Sequence, residues 1–146
     1  MATTAMLLVG GAAVTAAAEA PGQDETLAAA VFTAPTSISQ NMAWTSGNGS
    51  TLLRLQEDGH LVLYYQGQPT YSYAGTWSKG SVAAFQEDGN FVVYDANGAA
   101  VFNGDGACIN SGQSPIWNQA ETMRLTDDGR HQFLNARGQV LCEFPL

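Results

Sequence analysis

Three stretches of the chain repeat one another, and this repetition restricts the available folds more than any other feature. Gln86-Glu87-Asp88-Gly89-Asn90-Phe91-Val92-Val93-Tyr94 is preceded, thirty residues earlier, by Gln56-Glu57-Asp58-Gly59-His60-Leu61-Val62-Leu63-Tyr64. Forty residues later it is followed by Thr126-Asp127-Asp128-Gly129-Arg130-His131-Gln132-Phe133-Leu134. Self-similarity at a period of about 20 to 50 residues marks one supersecondary unit copied along a chain, with the copies burying a common core.

Residue parity sets the local structure of the unit. If Glu87-Asp88-Gly89 is a three-residue hairpin loop ending on a left-handed glycine, Gln86 faces Asn90 and Phe85 faces Phe91. The same register pairs Ala84 with Val92 and Ala83 with Val93. One face is then apolar, carrying Phe85, Phe91 and Val93, and the other carries Gln86, Asn90, Val92 and Tyr94. A two-residue Asp-Gly loop would mix the faces. The first copy repeats the pattern: Leu53 and Leu55 pair with Leu63 and Leu61, leaving Gln56, His60, Val62 and Tyr64 on the second face. In the third copy Met123, Leu125 and Phe133 fit the apolar face, but His131 falls where Leu61 and Phe91 stand.

With 146 residues the chain is long enough for one domain with a sizeable core and short for two. Residues 1–35 are expected to be an Ala-rich, signal-like segment or an N-terminal arm, and residues 36–146 the domain. The run Met6-Leu7-Leu8-Val9 and the small residues after it resemble the core and cleavage region of a secretory signal, although no Lys or Arg precedes Arg54. A secreted or extracellular location follows from that reading, and an uncleaved arm packed on a neighbour is the alternative. Val31-Phe32, Ile38 and Trp44 read as one or two short strands closing onto the first repeat. Asn48-Gly49-Ser50 satisfies the N-glycosylation pattern and reads equally as a turn, the reading we favour. Trp77 and Trp117 stand nine positions before Gln86 and Thr126, and Trp44 twelve before Gln56. One large aromatic per unit points to a core filled three times over, with an aromatic binding platform as the sharper alternative.

A formal charge of −8 opposes binding to phosphate backbones and anionic lipid surfaces, so neither nucleic acid nor membrane insertion is expected. Cys108 and Cys142 bracket the third unit. In an exported protein they would form one disulfide between the unit's first and last strands, and in a cytosolic one they would be buried thiols. The pairs Glu57-Asp58, Glu87-Asp88 and Asp127-Asp128 do not make glycosidase carboxylates, because adjacent residues in a turn diverge. No nucleophile elbow, phosphate loop or metal-spaced His/Cys set is written, and no enzyme activity, cofactor or metal is expected. Asn103-Gly104-Asp105-Gly106 is too short for an EF-hand loop and reads as a turn.

Gln86-x-Asp88-x-Asn90-x-Val92-x-Tyr94 resembles the QxDxNxVxY signature of the bulb-type, monocot mannose-binding lectins, over roughly residues 37–146. The resemblance implies an all-β, β-prism II fold: three short antiparallel sheets with pseudo-threefold symmetry, without catalytic activity. It implies one monosaccharide pocket per intact motif, mannose-type glycans or glycoproteins as partners, and homo-oligomers, often built by exchange of a C-terminal strand. By the same resemblance Gln86, Asp88, Asn90 and Tyr94 are the groups that hydrogen-bond mannose hydroxyls, and Val92 packs on the ring. In the first unit Gln56, Asp58, Val62 and Tyr64 match, with His60 in place of asparagine. The third unit keeps only Asp128, and no mannose is expected there.

The residue types make chemical sense on their own. A hexose presents hydroxyls that both donate and accept, so its pocket needs amide, carboxylate and phenol groups within reach of one another. Each such bond nets only about 0.5 to 1.5 kcal/mol against water, so one shallow site binds at around millimolar strength. The competing reading from another class is a structural or assembly module, such as a toxin, fibre or appendage subunit, that has kept sites by descent.

Overall fold

Each repeated stretch folds as a hairpin in the expected register in a computed structural model that describes residues 29–146. The signal-like reading falls, up to residue 28, outside the described residues. In the second unit β7 (Val82–Phe85) pairs with β8 (Phe91–Tyr94), setting Phe85 opposite Phe91 and Ala83 opposite Val93. In the first, β4 (Thr51–Leu55) pairs with β5 (Leu61–Tyr65), and in the third β10 (Thr122–Leu125) pairs with β11 (His131–Leu134). The loop closes as parity requires: Gln86 N donates to Asn90 O at 2.9 Å, and Gly89 lies at φ +87°. Only glycine adopts that conformation without strain.

Each hairpin gains a strand on either side. After it comes β6 (Gln68–Ser72), β9 (Ala100–Asn103) or β12 (Val140–Phe144). Before it comes a strand from the N-terminal part of the chain: β3 (Met42–Thr45) for the first unit, β2 (Thr36–Ser39) for the second, β1 (Ala30–Thr33) for the third. The fold is therefore three antiparallel four-stranded sheets. Residues 31–50 do not close onto the first repeat alone. They form three strands, one per sheet, because Ala34-Pro35 and Gln40-Asn41, with Asn41 at φ 70°, break the run into four-residue pieces. Residues 30–33, read from sequence within the N-terminal segment, are the edge strand of the third sheet. The C-terminal strand β12 pairs with β11 of the same chain.

The inner faces meet in one apolar centre. Phe91 lies 5.6 Å from Phe133 and 5.2 Å from His131 between ring centroids, and Tyr73 lies 5.2 Å from Phe144. Fully burying a Leu or Phe side chain contributes roughly 1.5 to 3 kcal/mol, and Leu53, Leu55, Leu61, Leu63, Phe85 and Leu125 are all buried completely. The expected filling by three tryptophans is corrected. Trp44 is buried, but Trp77 and Trp117 are 67% and 54% exposed, because Tyr73, four positions before Trp77, takes the interior place. His131 is fully buried there as a neutral ring. With its proton on Nε2 the ring satisfies both nitrogens, Tyr73 Oη donating to Nδ1 at 2.8 Å and Nε2 facing Met123 Sδ at 3.5 Å.

The lengthened third unit holds the one helix among the described residues, α1 (Gly104–Asn110), where a turn was expected. Asn103 caps it, accepting from Gly106 N at 3.1 Å. Cys108 and Cys142 are joined, tying this helix, rather than a first strand, to β12.

Candidate functional site

The residues singled out by the motif gather beside the Asp-Gly turns, on the outer face of each sheet. A register irregularity recurs at the same place in all three units, between Leu63 and Tyr64, Val93 and Tyr94, and Phe133 and Leu134. Such bulges re-aim the side chain that follows. Here they fall on the two motif tyrosines. Tyr64 Oη donates to Gln56 Oε1, and Gln86 Nε2 donates to Tyr94 Oη at 2.8 Å, so the same Gln–Tyr pair is bonded in both motif-bearing units.

The carboxylates complete the cluster. Asp58 Oδ1 accepts from His60 N at 2.9 Å and from Gln56 Nε2 at 3.4 Å, and Asp88 Oδ1 accepts from Asn90 N at 2.9 Å. Both aspartates are exposed, and in each the second oxygen remains as an acceptor. The His60 backbone N–H holds the Asp58 carboxyl below the usual carboxylate range. A carboxylate in this state accepts hydroxyl protons at neutral pH.

The two turns differ at the third fixed position of the motif. Asn90 is only 9% exposed, and its Oδ1 accepts from both Phe91 N and Asp105 N, at 2.8 and 2.9 Å. Its Nδ2 donates to Asn103 Oδ1 at 3.2 Å. The side chain thus fastens the start of α1 to β8 and retains one amide hydrogen for a ligand. His60, in the corresponding place, is half-buried. Val62 and Val92 are buried, at 3% and 4% exposure, and offer little surface to a sugar ring.

The side chains around the third turn bond to one another instead. Thr126 Oγ1 donates to Asp128 Oδ1, while Arg124 Nε donates to Gln132 Oε1 at 2.8 Å and Gln132 Nε2 to Glu143 Oε1 at 2.9 Å. Gln132 stands where Val62 and Val92 stand in the other units, so a polar network replaces an apolar side chain at that place. Asp127 turns inward, accepting from Asn48 N at 3.0 Å, and burial pushes its carboxyl pKa up. The segment around Asn48 is a tight turn, with Gly49 N donating to Ser46 O at 3.0 Å. Among the described residues no three His, Cys, Asp or Glu side chains gather as a metal-binding group.

Two groups at the site escaped the sequence reading. Asn103 and Asp105 hold the second turn and the following loop in place, Asp105 Oδ1 accepting from Ile116 N at 2.7 Å and Trp117 N at 2.9 Å. The available signal was an asparagine followed three residues later by glycine at a possible helix start. The exposure of Trp77 and Trp117 was signalled only by their polar surroundings, Ser78-Lys79-Gly80 and Asn118-Gln119, which lack strand alternation.

The sequence matches no protein-family model and no curated protein. Solved structures do resemble the chain. The "Japanese Marasmius oreades lectin" superposes with a TM-score of 0.65 at 20% identity, over 79% of this chain and 89% of that one. A monomeric monocot mannose-binding lectin from Gastrodia elata superposes with a TM-score of 0.60 at 18% identity, over 81% and 96%. The Polygonatum cyrtonema lectin, solved with a monomannoside, gives 0.50 at 19% identity, over 80% and 90%. With its three four-stranded sheets, the chain therefore has the β-prism II fold of the bulb-type mannose-binding lectins.

Proposed function

We propose that the protein is a non-catalytic lectin that binds mannose, or a closely related hexose of a glycan, at its first and second Asp-Gly turns. The observation that carries the reading is the duplicated Gln–Asp–Tyr cluster. In two sheets the same glutamine and tyrosine are bonded to each other beside the same turn, whose aspartate accepts from the backbone N–H two residues on and keeps a carboxylate oxygen left over, with a Gln56–Asp58 bond added in the first. The third sheet lacks the cluster and carries an Arg124–Gln132–Glu143 network instead, which supports restricting the reading to the first two turns. A hexose hydroxyl can donate to the free oxygen of Asp58 or Asp88 and accept from the glutamine amide or tyrosine hydroxyl. The Gastrodia and Polygonatum structures, a mannose-binding lectin and a lectin carrying a monomannoside, support mannose as the first ligand to try. The disulfide suits an oxidising compartment, which supports a secreted location.

The test replaces both carboxylates. Asp58→Asn/Asp88→Asn keeps an oxygen to accept the turn N–H while removing the anionic acceptor. Titration with methyl α-mannoside, followed by NMR, should give a dissociation constant of about 1 mM for the wild type and at least tenfold weaker binding for the variant. An unchanged spectrum of the folded wild type at high sugar concentration, or equal binding by the variant, refutes the reading.

The second reading is an assembly module, such as a toxin, fibre or appendage subunit, on a lectin fold. It is favoured by Asn90, whose amide is committed mainly to holding α1 rather than facing outward. Self-association of the full chain without sugar binding would select it.

A further inference from the structure

The two motif-bearing turns share one feature that the third lacks: each lies beneath a loop carrying an exposed tryptophan. Trp117 is flanked by residues fixed to the second turn. Asn118 N donates to Asp88 O at 2.6 Å, and Ile116 O comes within 2.6 Å of where a Cβ on Gly89 would stand. Its backbone N–H donates to Asp105 Oδ1. Trp77 is flanked in the same way over the first turn. Thr76 Oγ1 accepts from Leu61 N at 3.0 Å, and Lys79 N lies 2.9 Å from the Cβ position of Gly59. The backbone of each tryptophan is therefore held next to a Gln–Asp–Tyr cluster.

Neither core packing nor loop structure explains these indoles. Both are more than half exposed, whereas a large aromatic at a packing position would be buried. The loop over the third turn does the same structural job, with Asn48 N donating to Asp127 Oδ1 and Ser50 Oγ to Asp127 O, yet it reads Ser46-Gly47-Asn48-Gly49-Ser50. The tryptophan accompanies the motif and is missing where the motif is missing. A sugar ring has one face lined by C–H groups, which the electron-rich face of an indole attracts, and tryptophan offers that surface with only two side-chain torsions to restrict.

We infer that the indoles of Trp77 and Trp117 form a second subsite at each motif turn, stacking on the sugar residue next to the one held by the Gln–Asp–Tyr cluster in a mannose-containing oligosaccharide. The inference rests on the sugar-binding reading of those turns. It gives the protein a preference for chains of sugar over single residues.

The experiment measures affinity for mannotriose and for methyl α-mannoside by calorimetry, in the full chain and in Trp77→Ala/Trp117→Ala and Trp77→Phe/Trp117→Phe. The wild type should bind mannotriose about tenfold tighter than methyl α-mannoside, one good apolar contact per site. The alanine pair should lose most of that ratio, and the phenylalanine pair should restore part of it. Mannotriose should also shift the tryptophan emission of the wild type. A wild type that binds both sugars equally, or an alanine pair with an unchanged ratio, overturns the subsite while leaving the primary sites standing. An alanine pair that keeps the ratio but turns a dimer into a monomer on size exclusion also overturns it, assigning the indoles to contact between copies. Failure of the folded wild type to bind either sugar removes the primary reading and the subsite together.

Discussion

Acidification should strain the centre of the fold through His131. Burial lowers the ring's pKa from 6.5 to about 3. The groups that face it from the packed strands and loops are Tyr73, Phe91, Met123, Phe133 and Phe144, none of them charged to stabilise an imidazolium. The native state therefore binds fewer protons than the unfolded chain between pH 6.5 and 3. Stability is complete above the upper value and is lost as pH falls through the window. At about 1.36 kcal/mol per pH unit the loss is roughly 2.7 kcal/mol by pH ~4.5 and approaches about 5 kcal/mol near pH ~3. That is comparable with the whole stability of a small domain, about 5 to 15 kcal/mol.

The comparison protein for this test is Tyr73→Phe/His131→Leu. Leucine occupies the matching place in the first unit, at Leu61, and removing the phenol avoids leaving a buried hydroxyl unpaired, which costs about 1 to 3 kcal/mol. Urea unfolding followed by tryptophan fluorescence at pH ~7.5 and ~4.5 should show the wild type losing about 2 to 3 kcal/mol more than the variant. The raised pKa of Asp127 acts in the opposite sense, since its partly buried carboxyl takes up a proton more readily in the native state. It is common to both proteins and cancels in the difference. Equal losses in the two proteins would refute the account of His131.

Two further measurements probe the scaffold. Cys108→Ala/Cys142→Ala opens a cross-link of sequence separation 34 and should cost roughly 3 to 4 kcal/mol, read as a lower melting temperature; a loss under about 1 kcal/mol would show that the disulfide does not brace the third unit. Gly89 and Gly98 have nearly the same φ, +87° and +84°, but a Cβ at Gly89 would meet Ile116 O at 2.6 Å while one at Gly98 meets nothing within 4 Å. Gly98→Ala should therefore cost about 1 to 2 kcal/mol and Gly89→Ala more than about 3 kcal/mol, and equal losses by chemical denaturation would refute the close packing of loop on turn.

The hairpins could be read from the sequence because their register is a local matter. An Asp-Gly turn and a period of two settle which of Phe85, Gln86, Asn90 and Phe91 share a face, and all lie within a few residues of one another. Three copies of such a unit, each with one apolar face, must bury those faces against each other, so a shared core followed from repetition, while the arrangement as three sheets was implied by the resemblance of the motif to that of the bulb-type lectins. The Gln–Asp–Tyr clusters were legible for the same reason, being drawn from a single hairpin.

Only the tertiary structure decided how distant segments meet. Phe32 pairs with Met123, Ile38 with Ala83 and Trp44 with Leu53, so three short strands in succession serve three different sheets, a choice made by partners far along the chain. Trp77 and Trp117 face outward while Tyr73 and Phe144 fill the centre, and Asn90 keeps only one amide hydrogen free because a helix fifteen residues away starts against it. Patterns of neighbours dictate which side of a strand is apolar. Which surface covers it depends on contacts that residue order does not display, because the free energy of those contacts appears only when the sheets close on one another.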